Sequence, residues 1–85
     1  MAELVSMMNI GREMAKKLDS VGICSAEELI RMGAQQAFLK LKDRYPNVCL
    51  VHLYALEGAV CGVEFNTLSE GRKRELKEFS DFLKR

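Results

Sequence analysis

Eighty-five residues with 48% apolar and 29% charged side chains and a single proline read as one globular domain, residues 1–85, with a small core and no low-complexity linker. A net charge of +1 gives no global pull toward nucleic acid or anionic lipid, so any such contact has to come from a local patch. The amino end has no basic segment followed by a long apolar run, which predicts no signal peptide, no membrane anchor and a cytoplasmic protein, and three cysteines without C-x-x-C spacing predict reduced, mostly buried thiols.

The segment from Glu3 to Met8 is apolar enough for a short helix, and Asn9-Ile10-Gly11 breaks it, because Asn and Gly tolerate the positive φ of a tight turn. A helix over Arg12 to Ser20 comes next, with Met14, Ala15, Leu18 and, just beyond, Val21 turned inward and Arg12, Glu13, Lys16 and Lys17 outward. Gly22 stands where a left-handed cap is least strained. Ser25-Ala26-Glu27-Glu28 has the S-x-x-E spacing of a capping box, so a helix starts just after Ser25, buries Leu29, Ile30 and Met32, and ends at Gly33. Ala34 to Lys42 predicts another, with Ala37, Phe38 and Leu41 inward, and Pro46 in the loop 43–47 separates it from the next helix.

Val48 to Val63 predicts the central, buried helix, because its apolar residues run on every side and only His52 and Glu57 interrupt them. It falls short of the ~20 apolar residues that span a bilayer. Thr67-Leu68-Ser69-Glu70 offers a second capping box, and the last helix is expected from near Leu68 to about Leu83, burying Leu68, Leu76, Phe79, Phe82 and Leu83. Its solvent side carries the spacings Glu70–Arg74 and Lys77–Asp81 for i,i+4 pairs. No segment alternates with period two. The expectation is an all-α protein, a compact bundle of about five or six short helices around the central one.

Chemistry is sparse. His52 and Glu57 lie five apart and project about 140° from each other on a helix, so they cannot chelate one ion, and no catalytic triad, phosphate loop or paired-carboxylate pattern is present. The expectation is no enzyme, no cofactor, no metal and no small-molecule substrate. The basic run Arg72, Lys73, Arg74, Lys77, Lys84 and Arg85 is interleaved with Glu70, Glu75, Glu78 and Asp81, as on a solvated helix. The informative constellation is a short helix, the turn Asn9-Ile10-Gly11, and a helix whose first N–H groups point outward, with Arg12, Lys16 and Lys17 beside it. A helix-hairpin-helix grips a nucleic-acid backbone in this way, weakly and without reading bases.

Asn9-Ile10-Gly11, Met14-Ala15 with Leu18, Gly22-Ile23 with Ser25, Glu28 and Leu29, Gly33 with Ala37-Phe38, and Leu53-Tyr54-Ala55-Leu56-Glu57-Gly58-Ala59 together resemble the C-terminal domain of TfoX-like (Sxy) proteins, regulators of bacterial competence. The resemblance spans nearly the whole chain, with Met8 where the family often has Pro and Phe65 where it tends to have Trp. It implies a helix-hairpin-helix or SAM-like fold in a stand-alone copy of that domain. It leaves two partner classes: nucleic acid, through Asn9, Ile10, Gly11, Arg12, Lys16 and Lys17, or a protein, which is a transcription or competence factor or a second copy of the chain.

Overall fold

Leu18, Ile23, Leu29, Ala37, Phe38, Leu41, Leu53, Leu56 and Leu76 are wholly shielded from water, and they come from every stretch in which a helical period was legible. In a computed structural model of the chain, which describes residues 3–83, these side chains form one core with five α-helices around it. The helices are α1 (Arg12–Ser20), α2 (Ala26–Met32), α3 (Ala34–Arg44), α4 (Leu50–Cys61) and α5 (Glu70–Leu83), with 3-10 turns at Leu4–Ser6 and Phe65–Thr67. No strand occurs among the described residues. The radius of gyration, 11.8 Å, is close to the ~12 Å expected for a compact chain of this length.

The helix boundaries reflect local chemistry. Ser25 Oγ accepts from the Glu28 N–H at 3.2 Å, while the Glu28 carboxylate reaches the N–H of Cys24 at 3.3 Å, one residue before the donor of an ideal capping box. Gly22, Gly33 and Gly62 take positive φ of 90°, 86° and 74° where α1, α2 and α4 stop. At the start of α4, the Cys49 N–H donates to His52 Nδ1 at 3.0 Å, so the histidine caps the helix.

Several expectations need correction. The first helix is only a 3-10 turn, because six residues cannot recover the cost of nucleating an α-helix. Helix α4 is shorter than residues 48–63 and is not enclosed on every side: it packs against α3, α5 and the second 3-10 turn, which leaves Val51 56% exposed on the remaining side. Val48, outside the helix, is buried in the loop before it. Ile30 and Phe82 face water, at 53% and 66% exposure, since nothing packs over those sides of α2 and α5. All three cysteines are reduced but exposed, because each sits at a helix end or in a turn and not on an inner face.

Helix α3 runs on to Arg44. The last helix is capped by Ser69, whose Oγ accepts from the Arg72 N–H at 3.1 Å, whereas the Thr67 hydroxyl is spent on the Glu64 carbonyl at 2.7 Å. Lys77 pairs with Asp81 at 3.2 Å, and no Glu70–Arg74 pair forms. Lys84 and Arg85, counted in the basic run, lie outside the described residues. Among the described residues, no helix is long and apolar enough to cross a membrane.

Candidate interaction surface

The turn that leads into α1 is held from behind. Asn9 adopts φ 71°, which brings its amide against the carboxyl end of α4: Nδ2 donates to the Val63 carbonyl at 2.9 Å and Oδ1 accepts from the Phe65 N–H at 3.3 Å. The same Nδ2 lies 3.5 Å from the Ala55 carbonyl. Gly58 makes this approach possible, since a Cβ there would collide with Asn9 Nδ2 and lie 2.7 Å from the Val63 oxygen. Ile10 is 5% exposed and belongs to the core. Asn9 and Ile10, expected to face a ligand, therefore point into the protein and fasten the turn.

Gly11 behaves differently. Its φ is −90°, open to any residue, and nothing lies within 4 Å of a Cβ placed there. Neither a positive φ nor internal packing calls for glycine here; it is a residue that suits the N-cap position it holds. Gly11 is the N-cap of α1, and no side chain caps that end. Arg12 and Lys16, one turn apart, are exposed on the same face as this opening. They line a groove of 380 Å³ between the first 3-10 turn and α1, with Leu4, Val5 and Ala15 on its apolar side and the carboxylates of Glu3 and Asp19 also in its wall.

The structure separates Lys17 from this group. Its ammonium sits 5.4 Å from the centroid of the Tyr45 ring, on the side of α1 that meets the end of α3. Arg44 approaches the same ring at 5.7 Å, and its Nε donates to the Tyr45 oxygen at 3.4 Å. The Ser20 hydroxyl, 2.8 Å from that oxygen, holds the Tyr45 hydroxyl below its ordinary pKa, with Arg44 and Lys17 acting in the same direction. Tyr45 and Arg44 were not legible as partners of Lys17, because 27 residues separate them in the chain; the only local sign was an aromatic next to a cation before Pro46.

Among the described residues, three ion pairs close elsewhere, all from α5: Arg72 with Glu57 and with Glu75, and Lys77 with Asp81. Glu57, 8% exposed, receives two hydrogen bonds from Arg72, Nε to Oε2 and Nη2 to Oε1, both at 3.0 Å, and this guanidinium holds its carboxyl below the usual range. Cys61 Sγ adds a contact at 3.4 Å, and burial together with the carboxylate raises the thiol pKa. Cys24 is pushed the same way by Asp19 above all. No group of three or more His, Cys, Asp or Glu residues gathers in a metal-binding arrangement among the described residues.

Comparison with known proteins accords with this architecture. Residues 1–80 match the TfoX C-terminal domain. Protein Sxy of Escherichia coli (strain K12) is 31% identical over 80 residues, covering 94% of this chain and 38% of that protein, so the chain spans less than half the length of this relative. The crystal structure of an uncharacterized protein from Listeria monocytogenes, in a triclinic form, superposes with a TM-score of 0.96 at 40% identity, covering 98% of this chain and 94% of that one. A protein of unknown function from the same organism, in a tetragonal form, gives a TM-score of 0.86 at 41% identity, covering 88% and 92%. By its sequence, the chain belongs to the TfoX C-terminal domain family.

Proposed function

We propose that this domain is a non-enzymatic binding module that contacts a nucleic-acid backbone, weakly and without reading bases, at the amino end of α1. The observation that carries the reading is the amino end of α1 at Gly11, which no side chain caps or covers, beside exposed Arg12 and Lys16. A phosphate at that end would meet the first backbone N–H groups of α1, the positive end of its dipole and two mobile cations. Asn9 and Ile10 serve the site from behind by fixing where α1 begins. The family resemblance to competence regulators fits such a module, and the regulatory activity of longer relatives would draw on their other parts as well.

The test is fluorescence anisotropy with labelled duplex and single-stranded DNA at low salt. Saturable binding that weakens steeply with salt and is lost in an Arg12→Glu/Lys16→Glu double variant is the expected result. A flat titration would overturn it.

A second reading rests on the groove itself. Its apolar side, with two cations and two carboxylates around it, suits a peptide segment of mixed charge better than a polyanion. It predicts capture of a partner protein that Ala15→Arg abolishes and Lys77→Glu, far from the groove, leaves intact.

A further inference from the structure

We propose that Lys17, Arg44, Ser20 and Tyr45 form a second backbone-phosphate contact for the same nucleic acid, at the opposite end of α1 from Gly11. The inference rests on the nucleic-acid reading above and adds α3 to the binding surface.

Two cations converge on one phenol: Lys17 Nζ and the Arg44 guanidinium lie 5.4 and 5.7 Å from the Tyr45 centroid. Among the described residues, neither is within ion-pair distance of a carboxylate. The nearest acid in sequence on α1, Asp19, acts instead on Cys24, on the other side of the turn. Lys17 and Arg44 stand in the last turns of α1 and α3, whose carbonyl ends favour cations, and no described carboxylate pairs with either. An arriving phosphate would supply a full counter-charge.

Hydroxyl groups complete the donor set. Ser20 Oγ lies 2.7 Å from the Lys17 carbonyl and 2.8 Å from the Tyr45 oxygen. The Tyr45 oxygen in turn accepts from Arg44 Nε, and the remaining guanidinium N–H groups are left for an outside acceptor. The Tyr45 pKa is lowered first by the Ser20 contact, then by the Arg44 hydrogen bond and the charges of Arg44 and Lys17.

The ring itself is occupied by cations, which makes it a poor platform for stacking a base and leaves the backbone as the ligand. From Gly11 to Lys17, α1 advances roughly 9 Å at ~1.5 Å per residue, about three steps of a strand that rises ~3.4 Å per nucleotide. One strand passing obliquely round α1, from the groove side with Arg12 and Lys16 to the α3 side with Lys17, would touch both ends.

The experiment is a salt series of anisotropy titrations with a labelled duplex, using the whole chain and its Lys17→Gln, Arg44→Gln, Arg12→Gln/Lys16→Gln and Lys77→Gln variants. Circular dichroism melts accompany each variant. A contacted phosphate contributes ~0.9 to the slope of log K against log salt, so Lys17→Gln and Arg44→Gln are each expected to flatten the slope by about 1 and to weaken binding several-fold, with melting unchanged. Lys77→Gln should leave both alone. If Arg12→Gln/Lys16→Gln flattens the slope while Lys17→Gln and Arg44→Gln do not, the second contact is overturned and the first stands. If only the Lys17 and Arg44 variants matter, the proposed function has its site at the wrong end of α1 and the second contact stands. Should the unaltered chain bind no DNA, both fall.

Discussion

The two sides of the Asn9–Gly11 turn are built on opposite terms. Behind it, at the junction with α4, polar atoms are consumed internally: Asn9 closes on Val63 and Phe65, and Glu57 closes on Arg72. In front, along α1 and the end of α3, Arg12, Lys16, Lys17 and Arg44 have no carboxylate within ion-pair distance among the described residues, and nothing in the fold covers Gly11. A region whose hydrogen bonds are complete contributes stability; one whose charges lack internal partners contributes little stability and is available to a ligand. Asn9 and Gly11, two residues apart in the chain, thus have opposite surroundings, one bonded inward and the other open.

The sharpest way to break this contrast is at Gly58. Replacing it with Ala improves helix propensity but drives a methyl group into the Asn9 amide and toward the Val63 oxygen at 2.7 Å. A net loss of about 2–3 kcal/mol in urea unfolding is expected, opposite in sign to the gain at an open helical glycine. Asn9→Ala should come next, at about 2 kcal/mol, by removing the amide bonds and placing Ala at φ 71°. Asn9→Gly, which keeps the φ, should recover part of that loss, and equal losses would mean the side-chain bonds carry the whole effect.

Glu57→Gln is expected to cost about 1–2 kcal/mol, less than a fully buried pair, because the Arg72 side chain is 35% exposed and water screens it. The pH dependence has a defined sign. Because the folded-state pKa of Glu57 lies below its ordinary 4.5, its contribution is complete above that value and disappears as pH falls through the depressed one. Acid titration of stability should therefore lose part of its slope below about pH 4.5 in Glu57→Gln. The smallest effect belongs to the front: Lys16→Glu should leave the unfolding midpoint where it was and change only DNA binding. A large stability loss there would erase the distinction between the two sides.

Much of the fold could be read from the chain because its signals are local. The apolar period of residues 12–20, the S-x-x-E step at Ser25, the glycines at 22, 33 and 62 and the break at Pro46 each act within a turn or two, and the helices start and stop close to where they indicate. Periodicity fails where burial depends on the neighbour that happens to lie alongside. Val51, Ile30 and Phe82 have the right chemistry for a core and face water because no helix covers them. Thr67 and Ser69 compete for one helix start, and a sequence pattern cannot tell which hydroxyl the backbone will reach.

What the sequence determined by itself was the helical class, the order of helices, the turn at Asn9 before α1 and the exposed cations on it, since periodicity, capping and turn propensity act over a few residues. Tertiary structure alone decided that Asn9 faces inward and that Lys17 leaves its neighbours to join Arg44 and Tyr45. Those assignments depend on segments distant in the chain, the carboxyl end of α4 for the first and the end of α3 for the second, and only packing brings them within reach.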